Sequence, residues 1–131
     1  MNYGRYFSLV VITGMILGCG GKPEEPTGTV SGSVTLDDKP MPEGEVAFAR
    51  PGRASTILEV KDGSFSGQVP EGTYRVEIYM YEEVEVVPME GEAPIIDRRN
   101  VLPSKYNLES QEQAEISAAG SNSFEFSAST K

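Results

Sequence analysis

Thr73-Tyr74-Arg75-Val76-Glu77-Ile78-Tyr79-Met80-Tyr81 is the stretch on which the fold turns. Tyr74, Val76, Ile78 and Met80 alternate with Arg75, Glu77, Tyr79 and Tyr81, and successive side chains of an extended strand point to opposite faces. One face is therefore expected to meet a core, and the other to carry charge and aromatic rings. β-branched and aromatic residues suit the pleated backbone as well.

Towards the amino terminus the same period-two pattern recurs between turn signals. Pro70-Glu71-Gly72 leads into the Thr73 strand, and Phe65 to Val69 makes another before it. Lys61-Asp62-Gly63-Ser64 reads as a hairpin, because Asp and Gly both tolerate positive φ. Ser55 to Val60 is a further strand, and Pro51-Gly52 closes the stretch Glu45 to Arg50, whose Val46 and Phe48 point inward. Asp37-Asp38-Lys39-Pro40 turns the chain, with Pro42 and Gly44 punctuating its return. In Thr29 to Leu36, Val30, Gly32, Val34 and Leu36 share one side.

Towards the carboxyl terminus the alternation fades between Glu82 and Asn100, an acidic connection marked by prolines. Connections of that length are commonly functional or mobile. Its opening, Glu82 to Val87, also suits the extension of a hairpin. Alternation returns in Ala114 to Ala118, and Gly120-Ser121-Asn122 turns into Ser123 to Ser127, where Phe124 and Phe126 are expected to plug the core. About seven short strands at regular spacing, with no helix-period segment beyond residue 19, predict an all-β antiparallel β-sandwich.

Several of these turns, taken in order, resemble carboxypeptidase regulatory-like domains. Gly32 to Phe48 (GSVTLDDKPMPEGEVAF) is similar to the family's opening strand, turn, proline and second strand. Lys61-Asp62-Gly63-Ser64-Phe65 resembles its Asp-rich turn before an aromatic, and Glu71 to Val76 its Gly-x-Tyr-x-Val strand. Leu102 to Asn107 and Gly120 to Phe126 resemble the end of small bacterial lipoproteins that carry this single domain. The resemblance implies a transthyretin-like, Ig-like sandwich over residues 29–131, without catalysis of its own. Glu45 departs from the small residue usual at its place, and the 82–100 insert is unusually acidic.

Ahead of this domain, residues 1–18 have the parts of a secretory signal. Arg5 gives a positive start, and Tyr6 to Leu17 form an apolar run of about a dozen residues, short of the roughly 20 that a bilayer span needs. Ile16-Leu17-Gly18-Cys19 resembles a lipobox, with Ile16 where Leu is usual and Leu17 where Ala or Ser is commoner. The resemblance implies a helical signal peptide cut before Cys19, a diacylglycerol thioether on its sulfur and an acylated new amino terminus. Each buried methylene contributes about 0.8 kcal/mol, so two or three chains anchor stably where one is marginal. Residues 19–28 then read as a lipidated Cys and a flexible tether of glycine, proline and charge. The expected address is the bacterial envelope, on the periplasmic face or in the outer membrane, and Gly20 rather than Asp after Cys19 leans towards the latter by analogy.

Composition narrows the chemistry. A formal net charge of -9 repels phosphates, so nucleic acid is not an expected partner. With no histidine and one cysteine, imidazole bases, Ser-His pairs, disulfides and zinc sites fall away. Asp37, Asp38 and Asp62 sit in turns, which favour aspartate for backbone bonding alone, so no enzyme and no cofactor are expected. The chain reads instead as a membrane-anchored interaction or structural module with an envelope protein as partner. Arg75, Tyr79 and Tyr81, continuing into Glu82, Glu83 and Glu85, form the candidate surface. The alternative is a glycan- or calcium-binding module, with the tyrosines as a sugar platform or with Glu82, Glu83, Glu85, Glu90 and Glu92 supplying the hard oxygens calcium prefers.

Overall fold

A computed structural model describes residues 25–131. The leader, Cys19 and residues 19–24 of the expected tether lie outside the described residues.

Ten strands and one short 3-10 turn follow one another from Thr27 to Ala128. The first layer sets β1 (Thr27–Leu36) between β5 (Ser64–Pro70) and β10 (Ser121–Ala128), with the two-residue β2 (Lys39–Pro40) folded back on β1. The second layer runs β4 (Thr56–Lys61), β3 (Glu43–Ala49), β6 (Gly72–Tyr79) and β9 (Gln113–Ile116). A single register pair, Lys61 with Ser64, carries the sheet around the corner from β4 to β5. The result is the expected all-β sandwich, made by one sheet curling over itself. All its pairings are antiparallel except β1 with β10, which run parallel from Thr29–Ser121 to Leu36–Ala128.

Aromatic rings tie the layers together. Phe65 stacks on Phe126 at 6.0 Å and Phe126 on Phe124 at 5.9 Å, Phe124 meets Phe48 of the other layer at 6.4 Å, and Phe48 meets Tyr74 edge-on at 6.0 Å. Gly32 makes room for this ladder. It sits between Phe65 and Phe124 in register, and a Cβ there would run into the Phe65 ring. Val30, Val34, Val46, Val60, Val69 and Val76 fill the space around the rings and are fully buried, each contributing roughly 1.5–3 kcal/mol. Tyr74 also bonds its hydroxyl to the Pro70 carbonyl at 2.6 Å, four residues back, as tyrosine corners of sandwiches do.

Met41 is a core residue that periodicity could not reveal. Flanked by Pro40 and Pro42, it is fully buried where the chain crosses between layers, and its N–H bonds to Val34 O at 3.0 Å while its own O accepts from Gly63 at 2.7 Å. The sheet also begins two residues before the expected Thr29. Thr27 and Gly28 pair with Pro70 and Val69, Glu71 donates to Pro26 O, and Glu25 pairs with Arg50 at 2.7 Å and Arg53 at 2.6 Å. At the other end, Asp37 accepts bonds from Thr130 and Ser129, whose hydroxyls, with the Thr130 N–H, hold its carboxyl below the usual range.

β6 needs more than β9 to satisfy its outer edge, since their pairing stops at Arg75 with Gln113. Beyond it, Val76 donates to Glu112 O at 2.8 Å, the Ser110 hydroxyl donates to Val76 O, and Asn107 Nδ2 reaches Ile78 O at 3.4 Å. Asn107 and Ser110 are accordingly buried, in a segment opened by buried Leu102 and the 3-10 turn Ser104–Tyr106.

Two substitutions check this account. Asn107→Ala, which strips a partner from a buried carbonyl, is expected to cost about 1–3 kcal/mol in urea unfolding. Gly63 has φ 79, and a Cβ there would lie 2.8 Å from Pro40 Cβ. Gly63→Ala should therefore cost more than about 1 kcal/mol, and a neutral result at either position contradicts the packing described.

Candidate functional site

The nine-residue stretch expected as one strand is interrupted at Met80. β6 ends at Tyr79, and Tyr81 opens β7 (Tyr81–Val86), which among the described residues pairs with β8 (Ile95–Asn100) and with no other strand. The acidic connection is therefore largely a β-ribbon. Asn100 fastens its base: Oδ1 accepts from Met80 N at 3.3 Å and Leu102 N at 3.2 Å, Nδ2 donates to Leu102 O at 3.3 Å, and Val101 N donates to Met80 O at 2.9 Å. One amide holds the strand where it leaves the layer and where it returns.

Arg75, Glu77 and Tyr79 share the outer face of β6, as alternation requires, but Glu77 is only 7% exposed. Its burial departs from the expected open face. Tyr79 donates to Glu77 Oε1 at 2.6 Å and Arg75 Nη2 lies 3.2 Å from Oε2, so the flanking side chains close over the carboxylate and use both of its oxygens. Arg75 Nη1 also donates to Leu108 O at 3.4 Å. Tyr79 and Tyr81 stack with centroids 5.9 Å apart and planes 1° apart, and the Arg98 guanidinium sits 4.7 Å from the Tyr81 ring centre. The tyrosine pair thus packs the joint between sandwich and ribbon, with ring surface already occupied by protein groups.

Glu82, Glu83 and Glu85 belong to the ribbon. Glu82 lies opposite Arg99, Glu83 opposite Arg98, and Glu85 opposite Ile96. By the strand period, Tyr81, Glu83 and Glu85 share one ribbon face with Ile96 and Arg98, and Glu82, Val84 and Val86 share the other. The candidate residues thus fall into two neighbouring groups: Arg75, Tyr79 and Tyr81 at the joint, and the three glutamates beyond it. Glu90 and Glu92 lie in the turn between the strands. Among the described residues, no three acidic or other metal-ligating side chains gather where a cation would be held. A shallow cleft of about 350 Å³ at the ribbon's base is lined by Glu43, Gly44, Glu45, Ile57, Glu59, Tyr81 and Arg98.

Sequence reasoning missed Asn100 and Arg98. Asn100 acts on Met80 and Arg98 on Tyr81, residues about twenty positions back that the 87–94 turn brings near, and a lone Asn or an Arg pair carries no period to mark it.

The chain matches no protein-family model and no curated protein sequence. Among solved structures it is similar to a DUF3823 family protein from Parabacteroides merdae ATCC 43184, at 15% identity and a TM-score of 0.45. That match covers 80% of this chain and 47% of the other, so the chain spans about half the length of that neighbour.

Burial raises the Tyr79 hydroxyl to about 12, assisted by its bond to Glu77 and by that carboxylate's charge, against the ordinary value of about 10. Burial and the Glu45 charge also raise Tyr81, though Arg98 opposes them. Since the neutral phenol is the form the fold favours, the stabilisation is complete below pH ~10 and is lost as the pH climbs towards ~12. Alkaline absorbance titration should show a late-ionising tyrosine that disappears in Tyr79→Phe; a Tyr79 titrating with free tyrosine contradicts the geometry.

Proposed function

We propose that the chain is a lipid-anchored lipoprotein of the bacterial envelope whose β-sandwich serves as a non-catalytic interaction or structural module. The lipobox-like Ile16-Leu17-Gly18-Cys19 behind a short apolar run supports the anchor. The order of the Asp-Gly turn, the Gly-x-Tyr-x-Val strand and the closing Phe-x-Phe supports kinship with small lipoproteins that carry a carboxypeptidase regulatory-like, transthyretin-like domain.

The observation that carries the interaction reading is where apolar surface is left uncovered. Among the described residues six large apolar side chains are exposed, and four of them, Val87, Met89, Ile95 and Ile96, are on or beside the ribbon. Exposed apolar groups gathered in one place mark a surface that meets something else. Its position fits an anchored protein as well. Glu25, where the described chain begins, is fixed by Arg50 beside the start of β6, whereas the ribbon departs from the far end of that strand. An anchor upstream of Glu25 would thus join the domain beside one end of β6, and the ribbon leaves from the other.

Two measurements test the two halves of this function. Intact-mass analysis of protein extracted from membranes should show residues 1–18 removed and acyl mass on Cys19, and Cys19→Ala should retain the leader; an intact leader on the wild type or an unmodified sulfur refutes the anchor. A photo-crosslinking residue at Met89, introduced in the intact envelope, should give a discrete adduct that the same residue at Glu115 on β9 does not. Equal adducts from both positions, or none, refute the ribbon as the contact surface.

A further inference from the structure

Resting on this interaction reading, we propose that the free edge of β7 takes up, as a third strand, an extended segment of a partner protein in which Lys or Arg alternates with apolar residues. Among the described residues β7 bonds to β8 along one side only. On its other side β3 does not pair with it: the β3–β6 register stops at Glu45 with Tyr79, and β3 itself begins at Glu43, beside the cleft at Tyr81. The alternate backbone N–H and C=O groups of β7 that point away from β8 are therefore left without a strand partner among the described residues. A two-stranded ribbon is marginally stable in water and gains from a third strand, and such an open edge is a template for β-augmentation.

The side chains select the partner's chemistry. Proteins guard edge strands with charge, proline or a bulge, and β7 has neither proline nor bulge; its guard is Glu82, Glu83 and Glu85 between Tyr81, Val84 and Val86, a single sign of charge that turns away acidic strands and not basic ones. The arginines opposite are engaged elsewhere, Arg99 with Asp97 at 3.1 Å and Arg98 over the Tyr81 ring. Glu83 and Glu85 thus leave one face of the edge acidic, while Val84 and Val86 make the other largely apolar. A strand added there meets both needs when its own alternation is basic on one face and apolar on the other. Glu43, Glu45 and Glu59 in the cleft beneath Tyr81 extend the same sign of charge.

A second copy of this chain is a poor occupant. Each carries a net charge of -9, and pairing β7 with β7 would bring two sets of Glu82, Glu83 and Glu85 together. An anionic membrane is repelled for the same reason.

The test uses the full chain in neutral detergent and three capped octapeptides: alternating Lys-Val, alternating Glu-Val, and Lys-Val methylated on every backbone nitrogen. Calorimetry should detect binding of the first alone, weakening as salt is added, with Tyr81 to Val86 amides gaining protection from hydrogen exchange. The folded variant E82Q/E83Q/E85Q, its fold checked by circular dichroism, should bind about tenfold more weakly or worse. Equal binding of the methylated peptide would show attraction without strand pairing and overturn the proposal. So would absent Lys-Val binding to the wild type, unchanged affinity in the triple variant, or sedimentation showing the chain dimerising through the ribbon. A discrete Met89 adduct in the envelope combined with peptide failure would retain the interaction reading and remove this partner chemistry.

Discussion

The outer edge of β6 has to be satisfied over its whole length, and the rest of the architecture follows from how that is done. A buried backbone group left without a partner costs about 1–3 kcal/mol, so an eight-residue strand cannot rest against the four residues of β9 alone. The segment after Leu102 supplies what is missing with Glu112 O, the Ser110 hydroxyl and the Asn107 amide. Side-chain donors in place of a strand allow the partner to end where needed. β6 is thereby free to stop at Tyr79 and release the chain into a ribbon, which Asn100 then fastens at its base.

The two layers are held in register by a different device. The ring ladder from Phe65 through Phe126 and Phe124 to Phe48 crosses from one layer to the other, and it is contiguous only because Gly32 leaves a gap between its neighbours on β5 and β10. Placing Phe124 and Phe126 there requires β10 to lie along β1. The chain reaches that position after β9, on the opposite layer, and so β10 arrives running in the direction of β1 rather than against it.

Local patterning made much of this legible. Tyr74, Val76 and Ile78 face the core as their alternation predicts, and Asp62-Gly63 turns with φ of 50 and 79, the conformation for which that pair is suited. Asp37-Asp38 adopts the same left-handed turn, which aspartate accepts less readily than glycine, and the Asp37 carboxylate then anchors Ser129 and Thr130. What stayed hidden depends on partners far away in sequence. Met80 continues the alternation of its strand yet breaks it, because its N–H donates to the Asn100 side-chain oxygen and its C=O accepts from the Val101 N–H. Glu77 reads as solvent-facing by period, and is buried because Arg75 and Tyr79 on its own face converge on it. Thr27 and Gly28 read as tether by composition, and become strand because Pro70 and Val69 pair with them.

The joint at Tyr79 and Tyr81 has a mechanical consequence for the proposed function. β6 spans eight residues, about 25 Å at the strand rise, and it is bonded on both sides within the second layer. Glu25, held by Arg50 and Arg53, marks one end of this strut, and the stacked tyrosines mark the other. A surface carried on a loop would have its orientation set by the loop's own fluctuations. Here the ribbon is coupled to the strut by two parallel rings, of which Tyr79 is held in place by the buried Glu77 carboxylate, and by one amide that bridges its base. Those contacts fix the ribbon at its root, so a partner strand of the kind proposed would meet an edge already held by the sandwich, and less freedom would be lost on association.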